Sequence, residues 1–169
     1  MLSSGISQIV DSRTVPSVKA DLAFHVPTVG FCCGAFDCLH PGHILMLADA
    51  AGQCDILVVG LHANPHLEPP EKNEPVQTID ERIMVLQAIK YVSDIKVYTT
   101  EAELEAMLYE LRPDVRIIGS DWRGKQITAP DAAKRIHWHE RQHHWSSSEM
   151  RRRIWEAEEK AIMESVVTE

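Results

Sequence analysis

Two histidines at the start of a predicted helix, His40 and His43, have the spacing that points most directly to chemistry. Side chains three positions apart share one side of a helical turn, so both imidazoles can reach one ligand. The free backbone N–H groups of a helix start favour an anion at the same place. Gly42 lets a ligand approach the backbone closely. The segment therefore predicts a phosphate-binding turn with two imidazole groups.

The residues before this turn add a tight bend and a carboxylate. Gly34 lets the chain turn sharply after a short apolar strand, and Ala35 and Phe36 then lead to Asp37. Carboxylate oxygens are ligands that Mg²⁺ prefers, and Mg²⁺ commonly accompanies substrate phosphates. Asp37 is therefore the predicted ligand of a magnesium ion carried by the phosphates. The alternative for the histidine pair is zinc binding or simple packing.

Three fragments resemble one enzyme family. Residues 34–43, GAFDCLHPGH, resemble the G-x-F-D-x-x-H-x-G-H motif of the HxGH nucleotidyltransferase superfamily, in the form of its cytidylyltransferase branch. Residues 141–148, RQHHWSSS, resemble the family's R-T-x-x-[IV]-S-[ST]-[ST] motif. They depart from it at Gln142, which replaces Thr, and at Trp145, which replaces an aliphatic residue, and His144 stands where the family often has Gly. Residues 119–125, GSDWRGK, resemble the G-D-D-W-x-G-K loop of glycerol-3-phosphate cytidylyltransferases. The resemblance covers about residues 26–154.

The resemblance implies roles for particular residues. The catalytic residues would be His40, His43, Arg141 and Lys72. The nucleotide-binding residues would be Gly34, Ala35, Phe36, Asp37, Gly42, Arg82, Gly119, Asp121, Trp122, His144, Trp145, Ser146, Ser147 and Ser148. Of these residues, Arg82, Arg141 and the three serines would hold phosphates. Asp121 and Trp122 would border the base.

The implied reaction transfers CMP from CTP to a small phosphorylated alcohol similar to glycerol-3-phosphate. An acceptor phosphate oxygen attacks the α-phosphate in line and pyrophosphate leaves, with Mg²⁺ as the expected cofactor. Two alternatives stay open. An adenylyltransferase acting on a sugar phosphate, of the ADP-heptose-forming type, shares the HxGH motif and the serine-rich helix start. A catalytically inactive nucleotide-binding module would also keep the pocket. The resemblance further implies a homodimer.

The elements that must position these residues alternate regularly from residue 26 onward. Short apolar strands alternate with amphipathic helices, which predicts an α/β fold: a Rossmann-like, doubly wound, parallel five-stranded sheet with helices on both faces. Ligands of such sheets lie beyond the carboxyl ends of the strands, where the motif loops should meet. We expect an N-terminal extension at 1–25, a cytidylyltransferase-like nucleotide-binding catalytic domain at 26–155, and the end of the last helix with a tail at 156–169.

Composition limits the partners. The chain has 169 residues and a net charge of −8, which argues against a protein that coats nucleic acid or an anionic membrane. Residues 134–153 nevertheless contain six Lys or Arg against two Glu, a net +4, so the rest carries −12. The four cysteines show no CxxC spacing, and no signal-peptide pattern or membrane-spanning stretch is visible. We therefore expect a cytoplasmic protein whose polyanionic partner is small.

Two further groups of residues predict structural rather than catalytic roles. His137 and His139 alternate along a predicted strand and share one face, but no acid or thiol stands beside them at zinc-ligand spacing. The run Arg151–Arg153 predicts an exposed face of the last helix.

Overall fold

Five parallel strands form the sheet of the computed structural model, which describes residues 25–67 and 73–167. The strands are β1 (Val29–Gly34), β2 (Ile56–His62), β3 (Asp94–Tyr98), β4 (Val115–Gly119) and β5 (Arg135–His139). The helices are α1 (Pro41–Ala51), α2 (Ile79–Gln87), α3 (Glu101–Leu111) and α4 (Ser147–Val167), with a 3₁₀ turn at Ser120–Trp122. The strand order is β3-β2-β1-β4-β5, and every pair is parallel. The predicted Rossmann-like fold is confirmed.

The alternation of side chains along each strand divides the core into two apolar layers. On β1, Phe31 enters one layer and Cys32 the other. The layer against α1 and α2 contains Cys32, Phe36, Leu47, Ala50, Leu57, Val59, Leu61, Leu86, Val115 and Ile117. The layer against α3 contains Phe31, Val58, Tyr98, Leu104, Leu108, Ala129 and Ala132. Helices therefore bury apolar surface on both faces of the sheet, which is the main favourable contribution to folding.

The helix starts differ in a way that matters for binding. Thr78 and Thr100 each accept an N–H bond from a glutamate three residues later in a capping box, and this fixes α2 and α3. His40 occupies the N-cap position of α1 without making a side-chain cap, and Pro41 follows as the first helical residue. The start of α1 therefore leaves backbone N–H groups available to a ligand.

The strand order reverses between β1 and β4, and this topological switch opens a crevice at their carboxyl ends. The start of α1 follows β1, the 3₁₀ turn follows β4, and residues 140–146 follow β5. All three segments therefore leave the sheet at the same edge, as predicted.

The predicted domain limits meet the structure at two points. The expected extension at 1–25 lies, except for His25, outside the described residues. The expected limit at 155 falls inside α4, which continues without interruption to Val167. None of the helices within residues 25–67 and 73–167 has the length and apolar character needed to cross a membrane.

Candidate active site

His40 and His43 stack on each other at the start of α1. Their ring centroids are 3.9 Å apart, and the ring planes differ by 22°. The ring of Phe36 lies against His43 with the centroids 5.3 Å apart, so the buried Phe36 side chain restrains that imidazole. The Nδ1 atoms of both histidines are buried and have no hydrogen-bond partner within the described chain. Buried polar atoms without partners are costly, and they accumulate at sites that bind a ligand.

Both imidazoles favour the neutral form in the free protein. Burial, reinforced by the positive charges of His40 and Arg141, lowers the pKa of His43 to about 3. Burial, followed by Arg141 and His143, also lowers the pKa of His40. A bound phosphate would add negative charge and so raise both pKa values. The environment of the two imidazoles therefore favours the binding of an anion over that of a cation.

A cleft of about 250 Å³ opens beside the two histidines. Its lining residues are His40, Gly42, His43, Gly119, Asp121, His139, Arg141, His143, Trp145, Ser146 and Ser147. They come from the start of α1, the end of β4 and the connection between β5 and α4. The structure thus brings both histidines of the first motif together with much of the other two motifs.

Gly42 is required for a close approach of His143. A Cβ atom at position 42 would lie 2.3 Å from Cε1 of His143 and 3.0 Å from Cε1 of His40, distances that side chains do not tolerate. His143 therefore lines the cleft directly over the helix start. The sequence had assigned the pocket to His144, which is exposed and packs its ring 5.8 Å from that of Trp145.

The serines at the start of α4 already have structural partners. Ser146 Oγ accepts the N–H of Glu149 at 3.1 Å and so caps α4. Ser147 Oγ donates to the backbone carbonyl of Asp37 at 2.8 Å. Ser148 is exposed and lines a second cleft of about 320 Å³ together with Arg151. Phosphate binding by these hydroxyls stays a prediction.

Arg141 is exposed at the rim of the same cleft. It donates from its guanidinium to the carbonyl of Trp145 at 2.6 Å, which folds the β5–α4 connection back on itself. The remaining guanidinium N–H groups provide the planar donor set that binds phosphate.

The carboxylate of Asp37 connects three segments of the chain. It accepts the backbone N–H groups of Val76 at 3.1 Å and Gln77 at 3.0 Å, and Arg151 of α4 lies 3.3 Å from its Oδ2. Arg151 also donates to the carbonyl of Glu74 at 2.7 Å. Asp37 is only 5% exposed. Arg151, predicted to lie on an exposed face, is instead a half-buried partner of this carboxylate.

This arrangement does not fit direct magnesium binding by Asp37. Both carboxylate oxygens already accept hydrogen bonds from the surrounding N–H donors. Within residues 25–67 and 73–167, no group of three or more His, Cys, Asp or Glu side chains could hold a metal ion. We therefore derive no catalytic step through a protein-held ion, and Mg²⁺ stays a prediction as a companion of the nucleotide.

Arg82 lies beneath the site rather than at its surface. Its guanidinium donates to the carbonyls of Ala35 at 2.9 Å, His62 at 2.8 Å and Ala63 at 2.7 Å, and the residue is 2% exposed. These bonds tie together the chain segments that leave β1 and β2. Arg82 therefore positions the loops, and its contact with the triphosphate stays a prediction. Lys72 lies outside the described residues.

The loop after β4 separates the histidine cleft from another pocket, of about 390 Å³. Gly119 and Asp121 line both of these cavities, while Gly34, Ala35 and Trp122 line the pocket of about 390 Å³. Trp122 is 42% exposed, and Lys125 Nζ lies 5.5 Å from the centroid of its ring. The predicted base-binding residues thus stand next to the predicted phosphate-binding residues, with space for a second group beside them.

His137 and His139 share a partner that the sequence pattern did not reveal. Both rings contact Oδ2 of Asp49 on α1, through Nε2 of His137 at 3.0 Å and Nδ1 of His139 at 2.7 Å. The predicted common face is therefore correct, and the acid that accompanies it comes from 88 and 90 positions away. Of the two, His139 lines the histidine cleft.

Comparisons with known proteins agree with this geometry. The family model described as cytidylyltransferase-like matches residues 31–153. The bifunctional protein HldE of Gluconacetobacter diazotrophicus is 36% identical over 109 residues, which cover 63% of this chain and 22% of that protein. HldE of Campylobacter concisus is 31% identical over 109 residues, which cover 64% of this chain and 23% of that protein. The chain therefore spans about a fifth of the length of these curated relatives.

A solved structure has a similar fold. The lipopolysaccharide core biosynthesis protein of Thermoplasma volcanium GSS1 aligns with a TM-score of 0.51 at 25% identity. The alignment covers 57% of this chain and 77% of that one.

Replacing Asp37 tests its connecting role. Asp37→Asn should lower the free energy of unfolding by about 2–4 kcal/mol, because a neutral amide leaves buried N–H donors and the Arg151 charge without full partners. Urea denaturation of the purified variant measures this loss. Asp131→Asn is the control, since its exposed carboxylate accepts the Tyr109 hydroxyl away from the site. An unfolding free energy equal to that of the control would contradict the assigned role.

The titration of His43 is a second test. Its ring should stay neutral between about pH 5 and pH 8 in the free protein, whereas an exposed histidine titrates there. Because the folded-state pKa of about 3 lies below the ordinary 6.5, the folded state binds fewer protons in that interval. The free energy of unfolding therefore decreases as the pH falls from about 6.5 toward 3, because the unfolded chain gains a proton on His43 that the folded chain does not bind. NMR of the imidazole signals measures the pKa, and a midpoint above 6 would refute the prediction.

Proposed function

Because the chain belongs to the cytidylyltransferase-like family of nucleotidyltransferases, we propose that it transfers a nucleotidyl group from a nucleoside triphosphate to the phosphate of a small phosphorylated sugar or alcohol. The observation that carries the proposal is the stacked pair His40 and His43 at the uncapped start of α1. Arg141 and the start of α4 complete a cleft of suitable chemistry for a polyphosphate.

In the proposed reaction, an acceptor phosphate oxygen attacks the α-phosphorus of the nucleotide in line. The new bond forms between that oxygen and the α-phosphorus, while the bond to the bridging oxygen breaks and pyrophosphate leaves. The nucleophile is already an anion, so no general base is needed. Catalysis then rests on positioning and on neutralising the charge that develops on the phosphoryl oxygens.

His40 and His43 supply ring N–H groups to the α-phosphate and its bridging oxygen. Burial keeps them neutral until the anion arrives, so they bind phosphate without first giving up a counter-ion. Arg141 and the N–H groups of the α4 start hold the leaving pyrophosphate. Magnesium enters with the nucleotide as part of the substrate.

The relatives favour adenylyl transfer to a sugar phosphate over the CTP reaction that the sequence motifs first suggested. The curated relatives described above are HldE proteins, which adenylylate heptose-1-phosphate, and the aligned Thermoplasma structure is named as a lipopolysaccharide core biosynthesis protein. The ADP-heptose-forming type is the alternative that matches this set. We therefore propose ATP as the nucleotide and a phosphorylated sugar as the acceptor.

The loop from Gly119 to Trp122 supports a second candidate, cytidylyl transfer to a small phosphorylated alcohol. Trp122 offers a flat, partly exposed ring, and Asp121 offers an acceptor for an exocyclic amino group beside the phosphate cleft. Both cytosine and adenine carry such an amino group, so this loop alone does not choose between them. A nucleotide-binding module without turnover fits less well, because both motif histidines are kept and stacked in the cleft.

The reaction depends on His43 in this proposal. His43→Ala should keep the fold and reduce pyrophosphate release by about 10²–10⁴-fold, since it removes a donor to the reacting phosphate. The measurement is a coupled pyrophosphate assay with nucleotide and a panel of phosphorylated sugars and alcohols. His25→Ala is the control, because His25 bonds Asp55 at the amino edge of the sheet. Near-normal turnover of His43→Ala would refute the mechanism.

The choice of nucleotide has its own test. Thermal unfolding in the presence of magnesium with ATP or CTP should show the larger stabilisation with ATP. A ligand at about 100 times its Kd contributes roughly 2.7 kcal/mol, which is easily measured as a rise in Tm. A larger shift with CTP, together with CTP-dependent pyrophosphate release, would support the second candidate instead.

A further inference from the structure

We propose that His139 is a third imidazole of the phosphate cleft and that Asp49 is the residue that positions it. The inference rests on the proposed function, since it assigns a contact to the polyphosphate that this function requires. His139 stands at the carboxyl end of β5, outside the three motif fragments. Asp49 stands on α1, two turns beyond the motif histidines.

The hydrogen bond between the two side chains fixes which ring nitrogen faces the ligand. Burial alone would raise the pKa of Asp49, but the hydrogen bonds from His139 and His137 outweigh it and lower the pKa. An ionised carboxylate only accepts, so Nδ1 of His139, at 2.7 Å, carries the proton. The remaining nitrogen, Nε2, is buried and has no hydrogen-bond partner within the described chain. It is the atom that this ring offers to a ligand.

The position of His139 fits an anion. Its side chain is 13% exposed and lines the same cleft as the motif histidines and Arg141. When both ring nitrogens carry a proton, Nδ1 donates to Asp49 and Nε2 donates to the ligand. A charge-assisted N–H bond to a phosphate oxygen is about twice as strong as a neutral one. The bond to Asp49 thus directs Nε2 of His139, and not the carboxylate, toward the cleft.

The charged and titratable groups around His139 come from four parts of the fold. They are Asp49, His40 and His43 on α1, His137 on β5, Asp121 in the 3₁₀ turn, and Arg141 and His143 in the β5–α4 connection. The lowered pKa values of His40, His43 and His143 leave Arg141 as the permanent cation among the residues lining the cleft. A hydrogen bond from Nε2 of His139 would give the polyphosphate a second side-chain contact in the same cleft.

His137 provides a matched control. It contacts the same oxygen of Asp49, at 3.0 Å, but is absent from the residues that line the cleft. Replacing either histidine therefore perturbs the same carboxylate, while only His139 removes a nitrogen from the cleft. At position 139 an asparagine can keep a donor near the place of ring Nδ1, which contacts Asp49 there, whereas at position 137 it removes the Nε2 contact with Asp49.

The experiment measures binding of inorganic tripolyphosphate to the full chain by isothermal titration calorimetry. His139→Asn should raise the Kd by about tenfold or more, because a hydrogen bond to a charged group is lost. His137→Asn should change the Kd by less than about twofold. Asp49→Asn should raise the Kd by a smaller factor and should add nothing in the His139→Asn background, since it acts only through that ring. Thermal unfolding confirms that each variant folds.

The outcomes separate the two proposals. Equal Kd values for the wild-type protein and His139→Asn, with the wild type binding tripolyphosphate, overturn the role of His139 and leave the proposed function intact. Equal weakening by His137→Asn and His139→Asn also overturns it, because the effect would then come from Asp49 alone. If the wild-type chain fails to bind tripolyphosphate, the proposed function falls and this inference falls with it. Should His139→Asn not fold, additive Kd effects of Asp49→Asn and His139→Gln overturn the inference, and non-additive effects support it.

Discussion

The buried carboxylate of Asp37 is the constraint on which the site depends. It joins the loop after β1 to the segment before α2 and to Arg151 in the second turn of α4, three parts of the chain that are distant in sequence. The residues on both sides of it, Phe36 and Cys38, have φ angles of 49° and 48°, a left-handed backbone that non-glycine residues adopt at a cost of about 1–2 kcal/mol each. The hydrogen bonds of Asp37 offset that cost. They thereby set where the two motif histidines stand.

The charge distribution of the site follows from the same architecture. The connection from β5 into α4 carries Arg141, and the sheet places that connection beside the uncapped start of α1. Helix N–H groups, neutral imidazoles and a guanidinium then meet in one cleft. Neutral imidazoles avoid the repulsion that several cations would create in the free protein. A bound anion would favour their protonation. These groups are the ones that the proposed function assigns to the polyphosphate.

The cavities beside the motif histidines contain residues of the motif fragments and residues outside them. The helix start, the histidine pair and the strand order belong to the part that the family model matches, residues 31–153. His139 with its partner Asp49, and Arg116, which is buried and lines the pocket of about 390 Å³, lie in the same range but outside the motif fragments. Under the proposed function, these side chains would affect which acceptor binds without changing the reaction of the motif residues.

The sequence by itself determined the fold and the family, because both depend on local patterns. Apolar strands, capping residues such as Thr78 and Thr100, and the spacing of His40 and His43 are readable within a few positions. Only the tertiary structure decided which side chains line the cleft. Asp37 and Arg82, both expected at the phosphates, direct their polar atoms to backbone groups, and His143 rather than His144 covers Gly42. Asp49 meets His139 only across 90 positions. Side-chain partners depend on distances between distant segments, and those distances exist only once the sheet has formed.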